Sequence, residues 1–325
     1  MKKKNIVVIG GGTGTYTVLS GLKKHPVHLS AVVAMADNGG STKVLREDFG
    51  VLPPGSVRPA LIALSAAEAP IASLFNIRFN QGNGKSALSG HNLGNLIITT
   101  LTEEKGSFEK AIEEVGKILH IKGHVIPSTL QDCNLVAKLE NGKIVKGEAD
   151  IDEPKHDGNL RVEKVWLEPK GKCKANPKAL KAIKKADLLV IGPGDLFTSI
   201  LPNFLTTGLV GTVQKSKAKK VYVCNLMTKF GETNRYTVLD FVDKLEEYLG
   251  KGILDYVLVN TKKPGIARIR EYEKEHAEFV KYNKKDFTEK PYEVITKSLL
   301  RSEGFIRHDS AKLARALRFL VQPSV

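Results

Sequence analysis

The chain has 325 residues, 42% of them hydrophobic and 26% charged, and a formal net charge of +15. This content fills a sizeable core, and no apolar run reaches the roughly 18 residues that a membrane-spanning helix requires. Lysine on expected helix faces (215–220, 281–285) supplies much of the excess charge, a solvated-surface pattern that also steers anionic metabolites; there is no nucleic-acid recognition motif, and aromatics at 6% are too sparse for stacking platforms.

In chain order, Ile6-Val7-Val8-Ile9 follows N-terminal lysines and ends in a glycine loop. The run is too short for a leader peptide and reads as a first strand. Cys133, Cys173 and Cys224 are isolated and odd in number. They read as reduced thiols of a cytoplasmic protein, against a disulfide frame or a zinc site. A helix is expected near 15–24, ended by Pro26, then a strand over about 28–35. Helices follow near 56–67, 70–79, 92–101 and 107–119. Residues 121–170 change character, with short strand candidates at 125–127, 135–139, 144–145 and 162–167. Asn141-Gly142 is a hairpin turn between two of them, so this region reads as an antiparallel addition to the sheet. The α/β rhythm resumes with helix 177–185, a strand into Gly192, helix 203–215, strand 220–224, helix 236–249, strand 255–259 and a last helix over 310–321. With no internal repeat and no linker, residues 1–325 are expected to form one α/β domain with a mostly parallel sheet and a β-rich excursion near 121–170.

Polar, glycine-rich turns follow the apolar runs, and in a parallel sheet such turns gather at the carboxyl edge, where ligands bind. The first is Gly10-Gly11-Gly12-Thr13-Gly14. It lacks the third glycine of a dinucleotide fingerprint, since Thr15 stands there, and it lacks a P-loop lysine. Backbone N–H groups at a helix start still favour an anion, and Thr13 adds a hydroxyl. Asp37-Asn38-Gly39-Gly40-Ser41 suits a ribose or base contact, a magnesium site, or a plain Asx turn. Ser56 is a candidate N-cap, and Arg58 beside it serves either a phosphate or an internal ion pair. In Gly90-His91-Asn92-Leu93-Gly94-Asn95, His91 and Asn95 are read as facing the cleft. Gly192-Pro193-Gly194-Asp195 with Thr198-Ser199 repeats the strand–loop–helix logic, as do Asn225 with Thr228, and Asn260. Gly231-Glu232-Thr233 follows in the same logic or merely begins the next helix, and Arg307 reads as a phosphate contact before a helix capped by Asp309 or Ser310. Neither a G-x-S-x-G nor an H-E-x-x-H motif occurs.

Taken together, Gly10–Gly14, Asp37–Ser41, Val51-Leu52-Pro53-Pro54-Gly55, Gly90–Asn95, Gly192–Ile200 and Asn225–Thr228 resemble the gluconeogenesis factor family, which is related to the 2-phospho-L-lactate transferases of deazaflavin cofactor synthesis. The resemblance spans nearly the whole chain. It implies a Rossmann-like three-layer fold and a cytoplasmic protein that binds a UDP-sugar such as UDP-N-acetylglucosamine. It implies support of cell shape and wall synthesis on gluconeogenic carbon, through a protein partner, with homo-oligomerisation left open. The transferase relatives join a phospholactyl group to a deazaflavin alcohol, using a guanylylated donor and magnesium. This chain departs from the pattern at Ser56, where the family is expected to carry Asp; a hydroxyl cannot replace a carboxylate base or magnesium ligand.

On this reading the diphosphate rests on Gly11, Gly12, Thr13 and Gly14 and on Gly192, Gly194 and Asp195. Asp37, Asn225 or Asn260 contacts base or ribose, and His91 and Asn95 face the sugar. Asn38, Gly39, Ser41, Arg58, Thr198, Thr228 and Arg307 complete the expected ligand set. If turnover occurs, Asp37 and His91 are the catalytic candidates.

Overall fold

The computed structural model describes residues 3–79 and 86–321. Seven strands align in one sheet in the order β10-β9-β8-β7-β1-β2-β3. They are β1 (Lys4–Gly10), β2 (Val27–Val33), β3 (His124–Pro127), β7 (Leu188–Ile191), β8 (Lys219–Val223), β9 (Tyr256–Asn260) and β10 (Glu293–Lys297). Every neighbouring pair is parallel. The strands are apolar on both faces because helices cover both. Ile6, Val8, Val33 and Val190 point into one core cluster, and Val7, Ile9, Val32 and Ile191 into the other. This is the period of two expected for a pleated strand.

On the first face pack α1 (Gly12–Leu22), α3 (Pro54–Leu64), α5 (Leu93–Lys105), α6 (Phe108–Ile118) and the last helix, α13 (Ser310–Phe319). The second face carries α8 (Pro177–Lys185), α9 (Leu201–Phe204), α10 (Leu209–Lys215) and α11 (Val238–Leu249). Shorter or more exposed helices are α2 (Gly40–Phe49), α4 (Ala69–Leu74), α7 (Glu148–Asp152) and α12 (Ile266–Glu273). The arrangement is the Rossmann-like α/β fold that the sequence implied.

The β-rich excursion is a separate three-stranded sheet, not an extension of the main one. It is built from β4 (Asn134–Leu139), β5 (Ile144–Lys146) and β6 (Val162–Glu168), all antiparallel. Asn141-Gly142 makes the turn, with Gly142 at φ 86. The strand at 124–127, read as part of that addition, instead closes the main sheet in parallel with β2. The chain reaches it through a helical crossover, which parallel pairing requires. The helix expected over 203–215 is broken at Gly208, whose φ of 98 is left-handed. Ser56 is not an N-cap: α3 opens one turn earlier, on Pro53, and Ser56 is its third residue.

Cys133 and Cys173 form a disulfide with a Cα–Cα distance of 6.2 Å, which corrects the reading of three free thiols; Cys224 alone is free, and it is buried. The cause is topological. Asn134 pairs with Glu168 at one end of the β4–β6 ladder, so the chain enters and leaves the excursion side by side. A separation of 40 residues hides this in the sequence.

Candidate functional site

The strand order reverses between β1 and β7: β2 and β3 lie to one side of β1, and β8, β9 and β10 beyond β7. Crevices outside the carboxyl ends of strands at such a point take ligands in open α/β sheets. The two loops leaving β1 and β7 meet there. Gly14 sits so close to the second loop that a Cβ on it would lie 2.0 Å from the Pro193 carbonyl oxygen. A Cβ on Gly194, at φ 153, would lie 3.5 Å from the Gly11 carbonyl. Gly14 therefore lets the loops touch, while at Gly194 the backbone conformation, not the space, favours glycine. α1 opens at Gly12, with Gly11 as N-cap and no side chain capping it. A π-helical turn opens at Leu196 with Asp195 before it, also without a cap from that side chain. The uncapped N–H groups of α1 thus open beside the loop after β7, whereas at the second start the Glu232 carboxylate accepts from Phe197 N at 3.2 Å.

A cavity of about 910 Å³ opens over these loops, lined by Gly11, Thr13, Gly14, Gly194, Asp195 and Ser199 among others. Asn225, Thr228 and Arg307 from the expected set also line it. Asn225 Oδ1 accepts from Gly194 N at 3.1 Å and so holds the second loop. Thr228 is buried; its hydroxyl accepts from Glu278 N at 2.8 Å. Arg307 is exposed, its guanidinium 4.9 Å from the Phe305 ring centroid. Gly12 lies beside Ser199, and Gly192 stands at the loop entrance with φ 69. Thr198 and Asn260 stand apart from this cavity. Thr198 is buried, with its hydroxyl on Glu232 at 3.2 Å. Asn260 is buried and bonded to Lys262 and Leu299, where it fixes the loop after β9.

The loop after β2 builds a second lobe of about 400 Å³, lined by Asp37, Gly39, Ser41, Arg58, Arg78 and Asn95 among others. Asp37 accepts from Gly39 N at 2.9 Å and from Thr42 Oγ1 at 2.9 Å, so the Asx turn is real. Burial raises its pKa against the pull of Gly39, Thr42, Arg46 and Arg58. Arg58 donates to Asn95 Oδ1, Phe75 O and Asn76 Oδ1 at 2.9–3.2 Å, and burial and Arg78 lower its pKa. His91 is buried behind the lobe, its Nδ1 3.1 Å from Ser41 Oγ. Ser41 Oγ also accepts from Asn95 Nδ2 at 3.5 Å. Asn38 is half-buried and lines neither lobe, accepting from Ala149 N at 2.9 Å and thereby tying α7 to the loop.

That contact exposes what the sequence reading missed. α7 belongs to the excursion, and its Asp152, with Glu153, lines both lobes. Glu148 lines the second lobe, and burial together with Asp37, Asp152 and Asp195 pushes its carboxyl up to about 8. Lys229 pairs with Asp152 at 3.1 Å; burial pulls its pKa down, but Asp152, Asp195 and Glu232 outweigh that and raise it. Glu232 starts no helix. It is fully buried and accepts from Phe197 N and Thr198 Oγ1, both at 3.2 Å, so it braces the turn after β7. Burial, then Asp195 and Asp152, raises its pKa, and burial and Asp152 do the same for Asp195. The sequence signal for α7 is only an acidic run, Glu148-Ala149-Asp150-Ile151-Asp152, in a region with no contact to the loops along the chain.

The model of the 2-phospho-L-lactate transferase CofD family matches residues 6–300. The chain belongs to that family. Relatives include the gluconeogenesis factor of Halalkalibacterium halodurans, 41% identical over 98% of this chain and 96% of that one. The gluconeogenesis factor of Bacillus subtilis is 40% identical over 97% of this chain and 98% of its own. A crystal structure of a Bacillus halodurans protein superposes with a TM-score of 0.92 at 39% identity, covering 98% of this chain and 100% of that one. The family match covers both glycine loops, the second lobe and α7, while Gly304, Phe305, Ile306, Arg307 and His308 of the first lobe lie beyond it. Among the described residues no helix is long and apolar enough to cross a membrane.

Proposed function

We propose that the protein is a nucleotide-sugar-binding regulator of the gluconeogenesis factor kind, taking a UDP-sugar such as UDP-N-acetylglucosamine. The observation that carries this reading is the meeting of the uncapped start of α1 with the glycine loop after β7 beneath the cavity of about 910 Å³. A diphosphate there accepts from backbone N–H groups, with Thr13 and Ser199 hydroxyls and Arg307 at hand. Asn225 and the Phe305–Arg307 wall face the nucleoside, and the sugar extends toward the second lobe, where Asp37, Ser41, Arg58 and Asn95 offer polar partners backed by His91. Ligand binding shifts the population of a surface read by a protein partner in wall synthesis, in the cytoplasm, by as much as the ligand prefers one state. Among the described residues no three His, Cys, Asp or Glu side chains converge as metal ligands. A magnesium ion carried in on the phosphates needs only one or two carboxylates, which Asp152 and Asp195 supply. Millimolar UDP-N-acetylglucosamine is expected to raise the melting temperature; an unchanged Tm contradicts the reading.

A transferase acting on a nucleotide-activated donor is the second reading. It is favoured by the acids Asp37, Glu148 and Asp152 that line the second lobe, next to the phosphate loops. Magnesium-dependent turnover of a GDP- or UDP-linked donor, lost in Asp37→Asn, supports it; ligand binding without turnover favours the regulator.

A further inference from the structure

The opposite edge of the sheet carries a second cavity, of about 960 Å³, that the reading above does not use. β3 is the last strand on its side of the sheet. α6 covers one face beside it and α8 the other, and the cavity opens between them around the strand. Its floor is apolar: Leu29, Ile112 and Val125 on the α6 side, Val7 and Ile126 on the α8 side. Its rim is basic. His124 lies level with Ser30 of β2, with His28 two residues earlier on that strand, and strand alternation sets all three on the face toward α8. Above them α8 presents Lys181 and Lys185, one helical turn apart, both exposed and without an ion pair among the described residues. The two acids of the cavity both pair with Lys178, Glu109 and Glu113 lying 3.4 and 2.9 Å from its Nζ, so neither reaches for Lys181 or Lys185.

We propose that this cavity is a second ligand site, for an amphipathic anion: an apolar chain ending in a carboxylate or phosphate. The volume lies in the range of small-molecule sites. A free inorganic anion would leave the apolar floor unused, and a neutral chain would leave the paired lysines and histidines unmatched. The chain lies on the α8 side along Val7, Ile126 and Ala182, and the head meets Lys181 and Lys185.

The test is calorimetric titration of the whole protein with decanoate and with decyl phosphate, against decan-1-ol and inorganic phosphate. One saturable site for decanoate or decyl phosphate is expected, and which of them binds assigns the head group. K181E/K185E is expected to weaken it at least tenfold. K215E/K217E, which changes the net charge equally on exposed residues elsewhere, is expected to leave it within twofold. Saturating UDP-N-acetylglucosamine is expected not to displace the probe. The proposal is overturned if neither anion saturates, if decan-1-ol binds as tightly, if both double variants weaken binding equally, or if the nucleotide sugar competes. It is also overturned if the protein is a dimer that K181E/K185E dissociates while no probe binds, which assigns the groove to a second copy.

Discussion

Gly14 packs directly on Pro193: a Cβ on the glycine would stand 2.0 Å from the proline's carbonyl oxygen and 2.9 Å from Gly194 N. Neither partner is the end of a flexible side chain, so one loop must move. Gly14→Ala is therefore expected to destabilise the fold by about 1–3 kcal/mol, as overpacking does, and to weaken UDP-sugar binding by parting the loops. Gly211, within α10, is the opposite case: a Cβ added there would meet nothing within 4 Å. Gly211→Ala is expected to stabilise by about 0.5–1 kcal/mol. Denaturant unfolding of both variants checks this contrast; equal effects would contradict it.

Glu148 links pH to stability. The native protein holds its proton up to about 8, against an ordinary value of 4.5. Between these values the folded state binds more protons than the unfolded chain, so stability falls as pH rises through this window and levels off above it. The loss is a few kcal/mol, about 5 at most. Glu148→Gln removes it. Its Tm advantage over the parent is expected to be near zero at pH 4 and to grow toward pH 8. The same charge is expected to weaken phosphate-bearing ligands above pH 8 in the parent and not in the variant. Parallel Tm curves across that range would rule out the assignment.

Asn38 is the tie between the loop after β2 and the excursion. Removing its acceptor leaves Ala149 N without that partner, at a cost of about 1 kcal/mol. Asn38→Ala is expected to increase hydrogen exchange across Glu148–Asp152 and to weaken the UDP-sugar. Unchanged exchange in α7 would show that other contacts hold it.

The Cys133–Cys173 bond closes the neck of the excursion over 40 residues. A loop of that size corresponds to roughly 2–4 kcal/mol. Thiol titration of the denatured, unreduced protein is expected to find one reactive cysteine, Cys224, and three after reduction. Reduction is expected to lower the Tm, and three thiols before reductant would contradict the pairing.

Elements whose signal is local were legible in the sequence. The expected span of α8 matches the structure, because Asn176 caps a helix opened by Pro177, and its amphipathic face runs unbroken. Asn141-Gly142 names its own turn. α2 was not legible, since it is highly charged and buries only Ser41, Thr42 and Leu45. β10 was missed because its residues are intermediate or exposed, with no alternation between a buried and a solvated face. For the candidate site, the glycine loops could be read from sequence because each follows its own strand. The acids of α7 could not. They reach the cleft only when the excursion folds back over it, and nothing in a window of neighbouring residues encodes that return.

The nucleotide-sugar crevice stands or falls where the loops after β1 and β7 meet. Isothermal titration of the intact protein with UDP-N-acetylglucosamine, beside Arg307→Ala, decides the matter. One site per chain is expected in the parent, with at least tenfold weaker binding in the variant. No heat at millimolar ligand, or equal affinity in the two proteins, would contradict the assignment.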